Sequence, residues 1–439
     1  MREKKASLKL SSCQIRALSI LQGTDNVFLT GAAGSGKSFL LREFLKDKDR
    51  KKFPTLASTG AAAILVQGRT FHSFFGLGIM EGGVQETIKR ASKNKQVVKR
   101  LKKLDGLVLD EVSMISGPTL RAAESIARKA RGNSTSWGGI RIIAVGDFAQ
   151  LPPVNPYGSK KEWAFLESAW HQSDFKPAVL NEIMRTQDKV FLEILNDIRE
   201  GIVSDRVSQF LDHHTEAAAT SFSGTRLLSR KDDVERFNLS KLETISSPTR
   251  SFETEYTGKT AEIEKFKKNS PIADVIHLKK GAHVMIRQND PEGKWVNGST
   301  GTIEDIKDES LTIKLSTGRD VEIEPVTFTL LNAEGNPVVT ATNFPIALAW
   351  AFTIHKAQGT TLDRARIDLR RLWEPGQAYV ALSRVKSPKG LTIEGWDRSS
   401  IVSDPDVRQF HAEIFEDGTR EGTWTYSDLE SDEGLQVEE

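Results

Sequence analysis

The chain has a single cysteine, Cys13, in 439 residues. No intrachain disulfide can form and no CxxC-type zinc site can be built, which fits a reducing compartment and leaves Cys13 as an inert residue. No apolar run approaches membrane-spanning length, and the N-terminal MREKKASLKLSSCQ carries charge without the apolar core of a signal peptide. These absences predict a soluble globular protein with no membrane partner. Internal repeats and low-complexity segments are also missing, which argues against solenoid and fibrous architectures. A chain of this length is expected to form roughly two to four domains.

A strong excess of one charge is lacking overall, since the net charge is +2. The balance conceals an asymmetry: from Glu416 onward there are nine carboxylates and one arginine, a net of −8, which leaves +10 on the preceding 415 residues. The tail, residues 416–439, has no periodicity and is expected to be flexible. Residues 89–103, KRASKNKQVVKRLKK, hold eight cations and no acid. Such a run can track a phosphate backbone, but a solvated helix face is the expectation here.

What is present is alternation. The apolar runs NVFLT, TLAST, LVLDE, RIIAV, TRLLS, RARIDL and GLTIEGW are separated by turns and helical stretches, the pattern of parallel sheets covered by helices on both faces. Between residues 277 and 331 the texture becomes period-two, with LTIKL and VEIEPVTFTL flanking the turn STGRD. A small antiparallel barrel or sandwich inserted in the second α/β unit is expected.

The stretch GAAGSGKS, residues 31–38, matches GxxxxGK[ST] and stands between the strand NVFLT and the helix-forming SFLLREFL, as a phosphate-binding loop requires. Gly31, Ala32, Ala33, Gly34, Ser35, Gly36, Lys37, Ser38 and Phe39 form the expected nucleotide-binding set. Backbone amides and the helix N-terminus would face phosphate, Lys37 would reach the β- and γ-phosphates, and Ser38 would ligate Mg²⁺. LVLDEVSM supplies Asp110 as the second metal residue and Glu111 as the candidate general base, a pairing that favours ATP hydrolysis. RIIAVGDFAQLPPV ends a third strand, and its Gln150 suits a sensor of the γ-phosphate or of the attacking water.

Together these residues resemble the petite integration frequency (PIF) family of DNA helicases, in the RecD-like branch of helicase superfamily 1. The resemblance covers residues 10–396 through LSSCQIRAL, GAAGSGKS, STGAAA, GRTFHSFFGLG, LVLDEVSM, GGIRIIAVGDFAQLPPV, LNEIMRTQD, WVNGSTG, FPIALAWAFTIHKAQGTTLD and AYVALSRVKSPKGL. RAAESIARKARGNSTSWGGIRII is similar to the region that marks the family within that branch. The resemblance implies an α/β fold of two RecA-like P-loop NTPase domains, at 1–62 with 81–175 and at 176–276 with 332–415. It further implies a wedge subdomain at 63–80 and an inserted Src-homology-three-like barrel at 277–331, with 416–439 as the acidic tail. It also implies ATP and Mg²⁺ as cofactors and 5′→3′ movement on single-stranded DNA.

By the same carry-over Gln14 contacts the adenine, Arg185 and Arg384 act as arginine fingers, and Gln358 and Gly359 turn the chain toward the nucleotide. Thr59, Gly60 and His72 in the first domain and Thr353, His355 and Lys356 in the second are the expected DNA contacts. Short polar side chains and amides at strand ends suit a motor that holds phosphates without reading bases. Phe74 and Phe75 are expected in the local core. Partners expected from the resemblance are single-stranded DNA and tailed or forked duplex, with G-quadruplex or RNA–DNA hybrid as further structures, and a monomer suffices for the basic activity. The family keywords are DNA replication, repair, recombination and telomere maintenance. The chain starts almost at the glutamine motif, which is read as a bacterial or phage origin and a cytoplasmic, nucleoid-associated protein. Open alternatives are a translocase or protein-displacing motor that unwinds poorly, a nucleotide-switch ATPase without a DNA track, and a small-molecule kinase, which the carboxylate pair and two arginines disfavour.

Overall fold

The apolar runs of the first half assemble as one parallel sheet. In the computed structural model, which describes residues 10–58, 69–78, 80, 82–153, 161–216, 222, 224–269, 273–288, 290, 294–295, 298–331 and 337–420, six strands lie in the order Arg69–Thr70, Thr55–Ala57, Gly106–Asp110, Arg141–Val145, Val27–Gly31 and Lys176–Leu180. Every pairing is parallel. Alternate side chains feed two cores, as the period of a strand dictates. Val27, Leu29, Val108, Ile143 and Val145 pack with Leu40, Leu41 and Phe44 of the helix Lys37–Leu45. Phe28, Leu107, Leu109, Ile142 and Ala144 pack on the other face, against Leu120 and Ile126 of the helix Gly117–Arg131. Cys13 is buried in the former core.

Of the expected wedge at 63–80, residues 63–68 and 79 lie outside the described residues, and the described part packs on the first domain. Arg69–Thr70 pairs with Leu56 and Ala57 as an edge strand of the first sheet. Thr70 caps the helix Phe71–Phe75 by accepting the Ser73 amide, and Phe71, Phe74 and Phe75 fill the first-domain core. Three phenylalanines on a five-residue helix bury too much apolar surface for this stretch to stand apart. The basic run folds as the helices Gly83–Lys93 and Lys95–Leu101, which turn Ile88, Ala91, Val97 and Leu101 inward and leave their lysines exposed.

The second sheet is also parallel, in the order Ala351–Thr353, Thr225–Leu228, Ala365–Leu369, Leu391–Trp396. Its core includes the helices Lys189–Arg199 and Gln377–Leu382. The antiparallel insertion is larger than 277–331. A five-stranded sheet runs Asp320–Ile323, Leu311–Leu315, Thr300–Ile306, His283–Ile286, Ile346–Leu348; Arg250–Glu253 pairs with Val275–Leu278, and Val326–Leu331, Pro337–Asn343 and Glu255–Gly258 form a third sheet. Strands from both sides of the expected boundaries are therefore needed to complete its ladders.

The end of the chain departs most from expectation. Residues 332–415 are expected in the second domain, yet the helix Pro405–Arg420 sends Val407 and Phe410 into the first-domain core. Phe410 stacks on Phe165 with centroids 4.3 Å apart and meets Phe28, Phe148 and Trp170. The helix thus straps the second domain back onto the first. Of the acidic tail, residues 421–439 lie outside the described residues.

Candidate active site

Three strands bring their carboxyl ends to one edge of the first sheet, where a crevice forms by topology. Val27–Gly31 opens into the phosphate-binding loop, Gly106–Asp110 ends in the carboxylate pair, and Arg141–Val145, lying between them, leads to Asp147 and Gln150. Gly36 caps the helix Lys37–Leu45 with φ 90°, and a Cβ there would stand 2.6 Å from Gln14 Nε2. Glycine is favoured here by its left-handed conformation, and a side chain would also have to displace the Gln14 amide.

Each expected group has an identifiable partner. Lys37 Nζ donates to the carbonyls of Gly31 at 2.6 Å and Ala32 at 3.2 Å, and burial lowers its pKa. Gln14 donates from Nε2 to Ser35 O at 3.3 Å while its Oε1 accepts from Ser11 N, so it braces the phosphate-binding loop from within a capping box. The buried Ser35 hydroxyl has no hydrogen-bond partner. Ser38 is exposed at the helix N-terminus and Phe39 half-buried beside it.

Glu111 sits at φ 52°, a left-handed backbone that a non-glycine residue adopts at a cost of about 1–3 kcal/mol. Its amide donates to Asp110 Oδ1 at 3.0 Å. Burial, then the neighbouring Asp110, pushes Glu111 up to about 7, and burial raises Asp110 as well. A carboxyl poised there can exchange a proton near neutral pH. Among the described residues no cluster of three or more His, Cys, Asp or Glu could hold a metal. One carboxylate and one hydroxyl, Asp110 and Ser38, suit magnesium, which binds few protein ligands and completes its shell with water and phosphate oxygens.

The second domain closes the crevice. Gln358 Nε2 lies 3.2 Å from Glu111 Oε2 and 3.5 Å from Gln150 Oε1, and Gly359 follows at φ 76°. Arg185 lies over the loop: a Cβ on Gly34 would come 2.6 Å from Arg185 Cβ, and its Nη1 donates to Ser383 O at 2.5 Å. Arg384 is 1% exposed and held by Val380 O at 2.7 Å and Ser383 Oγ at 2.8 Å; burial, then the charge of Arg185, pushes it down to about 9. Both arginines therefore face one cleft.

On the expected DNA side, Thr353 accepts the Lys356 amide at 3.1 Å and caps the helix Ile354–Ala357, with only 7% of its surface exposed. His355 is half-buried and lowered by burial. Lys356 is exposed, and partial burial with the charges of Arg287 and Lys231 lowers its pKa. His72 is half-buried in the first domain and lowered by burial. Thr59 and Gly60 lie outside the described residues.

Sequence reasoning missed five features. Tyr379, inside AYVALSR, accepts the Ala33 amide at 2.8 Å from across the cleft. Lys161 and Glu374 pair across it at 2.5 Å. Arg287, at the end of an inserted strand, joins Lys356 and Lys231 in a cationic locus, and Gly298 of WVNGSTG packs on Thr360, next to TIHKAQG. Asp147 is buried between domains: burial raises it, but Arg199 and Lys37 outweigh that and hold it at about 2. Tyr379, Gly298 and Asp147 had a signal, since each falls within a quoted motif, whereas Lys161, Glu374 and Arg287 had none.

Residues 12–209 match the family described as PIF1-like helicase. The chain is 49% identical, over 93% of its length and 92% of the relative's, to "ATP-dependent DNA helicase Pif1" of Bdellovibrio bacteriovorus. It is similar to the crystal structure of Bacteroides sp Pif1 in complex with ADP-AlF4, with TM-score 0.81 and 26% identity over 94% of this chain and 98% of that one. The structure of Bacteroides Pif1 bound to ssDNA matches with TM-score 0.65 and 27% identity over the same shares.

Proposed function

The chain belongs to the PIF1-like helicase family, and from that premise we propose that it is an ATP-dependent DNA helicase that hydrolyses ATP between two RecA-like domains and moves 5′→3′ on single-stranded DNA. The observation that carries the reading is the position of Gln358. One side-chain nitrogen spans Glu111 and Gln150 across the cleft, two residues beyond Lys356 in the same short segment. On this reading one short turn of chain links track and fuel.

The phosphate-binding loop and Lys37 bind the phosphates. Glu111 takes the proton of the attacking water, Gln150 and Gln358 orient that water, and Arg185 and Arg384 stabilise charge on the transferring phosphoryl group once the domains close. Ser38 and Asp110 would hold magnesium, which would supply positive charge to offset that of the phosphates. Gln14 supports the adenine end through the loop it braces. His355, Lys356 and Thr353, with Thr59, Gly60 and His72 opposite, grip the strand, and the cationic locus of Arg287 and Lys231 extends that grip under the insertion. The lower match to the DNA-bound Bacteroides structure supports a rearrangement when a strand enters the channel.

Tailed or forked duplex is the proposed substrate, with G-quadruplex and RNA–DNA hybrid as further structures to test, and a monomer as the working unit. Opening a base-pair step costs about 1.4 kcal/mol on average, a demand that a strand held at several phosphates and pulled against the first domain can meet. The deciding experiment measures ATP hydrolysis with and without single-stranded DNA, beside unwinding of matched 5′- and 3′-tailed duplexes. Preference for the 3′ tail overturns the direction, and hydrolysis indifferent to DNA favours a nucleotide switch.

A further inference from the structure

The loop carrying Gln150 is held from the far side of the cleft. Asp147 is fully buried and both its oxygens are used: Oδ1 accepts from Arg199 Nη2 at 2.9 Å and from Ala149 N at 3.2 Å, and Oδ2 accepts from Gln150 Nε2 at 3.3 Å. Arg199 is the last residue of the helix Lys189–Arg199, whose Phe191, Ile194, Leu195 and Ile198 lie in the second-domain core. It is 8% exposed, and its other contact is Glu200 at 3.5 Å from Nη1. Gln150 Oε1 in turn faces Gln358 Nε2, the nitrogen that reaches Glu111. A continuous polar chain therefore begins on a second-domain cation and ends at the candidate base.

We propose that Arg199 is a positioning residue for hydrolysis: by pairing with Asp147 across the domain boundary it fixes the amide of Gln150 in the orientation that serves the attacking water. Arg199 directs its guanidinium to Asp147 and Glu200, so its effect on hydrolysis runs through the loop that carries Gln150. The pair is specific in geometry as well as charge, because Asp147 must present one oxygen to the guanidinium and the other to Gln150. When the domains separate, Asp147 loses that partner and Gln150 its anchor, so hydrolysis is confined to the closed arrangement. A charge pair that merely stabilised the fold would have no reason to share its carboxylate with the sensor glutamine.

The inference rests on the hydrolase reading of the cleft, and turnover of the unaltered protein in the same assay tests that reading separately. Basal and DNA-stimulated kcat and KM for ATP are measured for Arg199→Gln, Gln150→Ala and the double variant, with thermal unfolding of each. Arg199→Gln should lower kcat on the order of tenfold or more while KM changes by less than about threefold, because orientation is lost and phosphate contacts remain. In the Gln150→Ala background the same substitution should have little further effect, since its action runs through that glutamine. Arg199→Lys, which keeps a buried cation but offers a single point of contact, should recover part of kcat and serves as the test where the glutamine variant does not fold. Additive losses in the double variant, or a fall in kcat that only follows the folded fraction, overturn the proposal.

Discussion

His411 gives the C-terminal strap a measurable signature. The residue is 4% exposed on the helix Pro405–Arg420, beside the stacked Phe410, with Nε2 3.9 Å from Asp147 Oδ1. Burial, reinforced by the charge of Arg199 and opposed by Asp147, pushes its pKa down to about 4 from an ordinary 6.5. Between those values the unfolded chain holds a proton that the folded protein does not. This group's contribution is therefore complete above about pH 6.5 and is lost as pH falls toward 4, in all roughly 3 kcal/mol at 1.36 kcal/mol per unit. Glu111 acts with the opposite sign. Its folded value of about 7 lies above the ordinary 4.5, so its contribution is present at low pH and lost as pH rises through 7. The two partly cancel in the unaltered protein, and the informative quantity is the difference from His411→Leu. Urea unfolding followed by tryptophan fluorescence, to which Trp170, 5.9 Å from Phe410, contributes, should show the leucine variant losing roughly 2 kcal/mol less between pH 7 and pH 5. Parallel pH profiles for the two proteins would refute the burial of a neutral imidazole under the strap.

Three further outcomes are expected. His355→Ala and Lys356→Ala should weaken DNA-stimulated turnover more than basal hydrolysis, whereas Gln358→Ala, which loses contacts to Glu111 and Gln150, should damage both; equal loss in all three would make the segment merely structural. Tyr379→Phe strips the Ala33 amide of its acceptor; if phosphate must displace that hydroxyl, a bond worth about 1 kcal/mol net, ATP should bind roughly fivefold tighter in a fluorescent-nucleotide titration, and weaker binding contradicts the displacement. Gly376→Ala places a Cβ 2.4 Å from the carbonyls of Ala149 and Gln150 at φ 75°, so single-turnover hydrolysis should fall while ATP binding persists, and normal turnover would show that the sensor loop tolerates displacement.

The parts of the fold that were readable are those that local chemistry fixes. Strands buried on both faces announce themselves as apolar runs, and the phosphate-binding loop needs its glycines whatever follows it. Lys176–Leu180 escaped because it contains Pro177; an edge strand tolerates proline, having one neighbour to satisfy. Ala351–Thr353 is three residues long and shows no period. The insertion was drawn too small since RSFE and EYTG are polar strands whose partners lie elsewhere in the chain. Val407, Phe410, His411 and Ile414 give the last helix an apolar face by spacing alone, but spacing does not say which domain that face will cover. Arg199 was unreadable for a related reason: an arginine ending an amphipathic helix is usually solvated, and only the tertiary fold brings Asp147 to it.

The same distinction bears on how the cleft can work. Its two walls meet mainly through polar contacts: Tyr379 with Ala33, Gln358 with Glu111 and Gln150, Lys161 with Glu374, and Arg199 with Asp147. Ala33 and Leu151 are the first-domain residues that join the second hydrophobic core. An apolar seam would cost about 25 cal/mol for each Å² exposed on opening, with nothing to replace it. Neutral hydrogen bonds cost only about 1 kcal/mol net each, because water or phosphate can take the place of either partner. Cleft walls joined this way can part and meet against the free energy of nucleotide binding, while the apolar strap Pro405–Arg420 keeps the two domains together. The buried Arg199–Asp147 pair is the exception, since it loses most when broken. It is the contact best suited to make closure all-or-none, and the one at which weakening should uncouple domain closure from hydrolysis first.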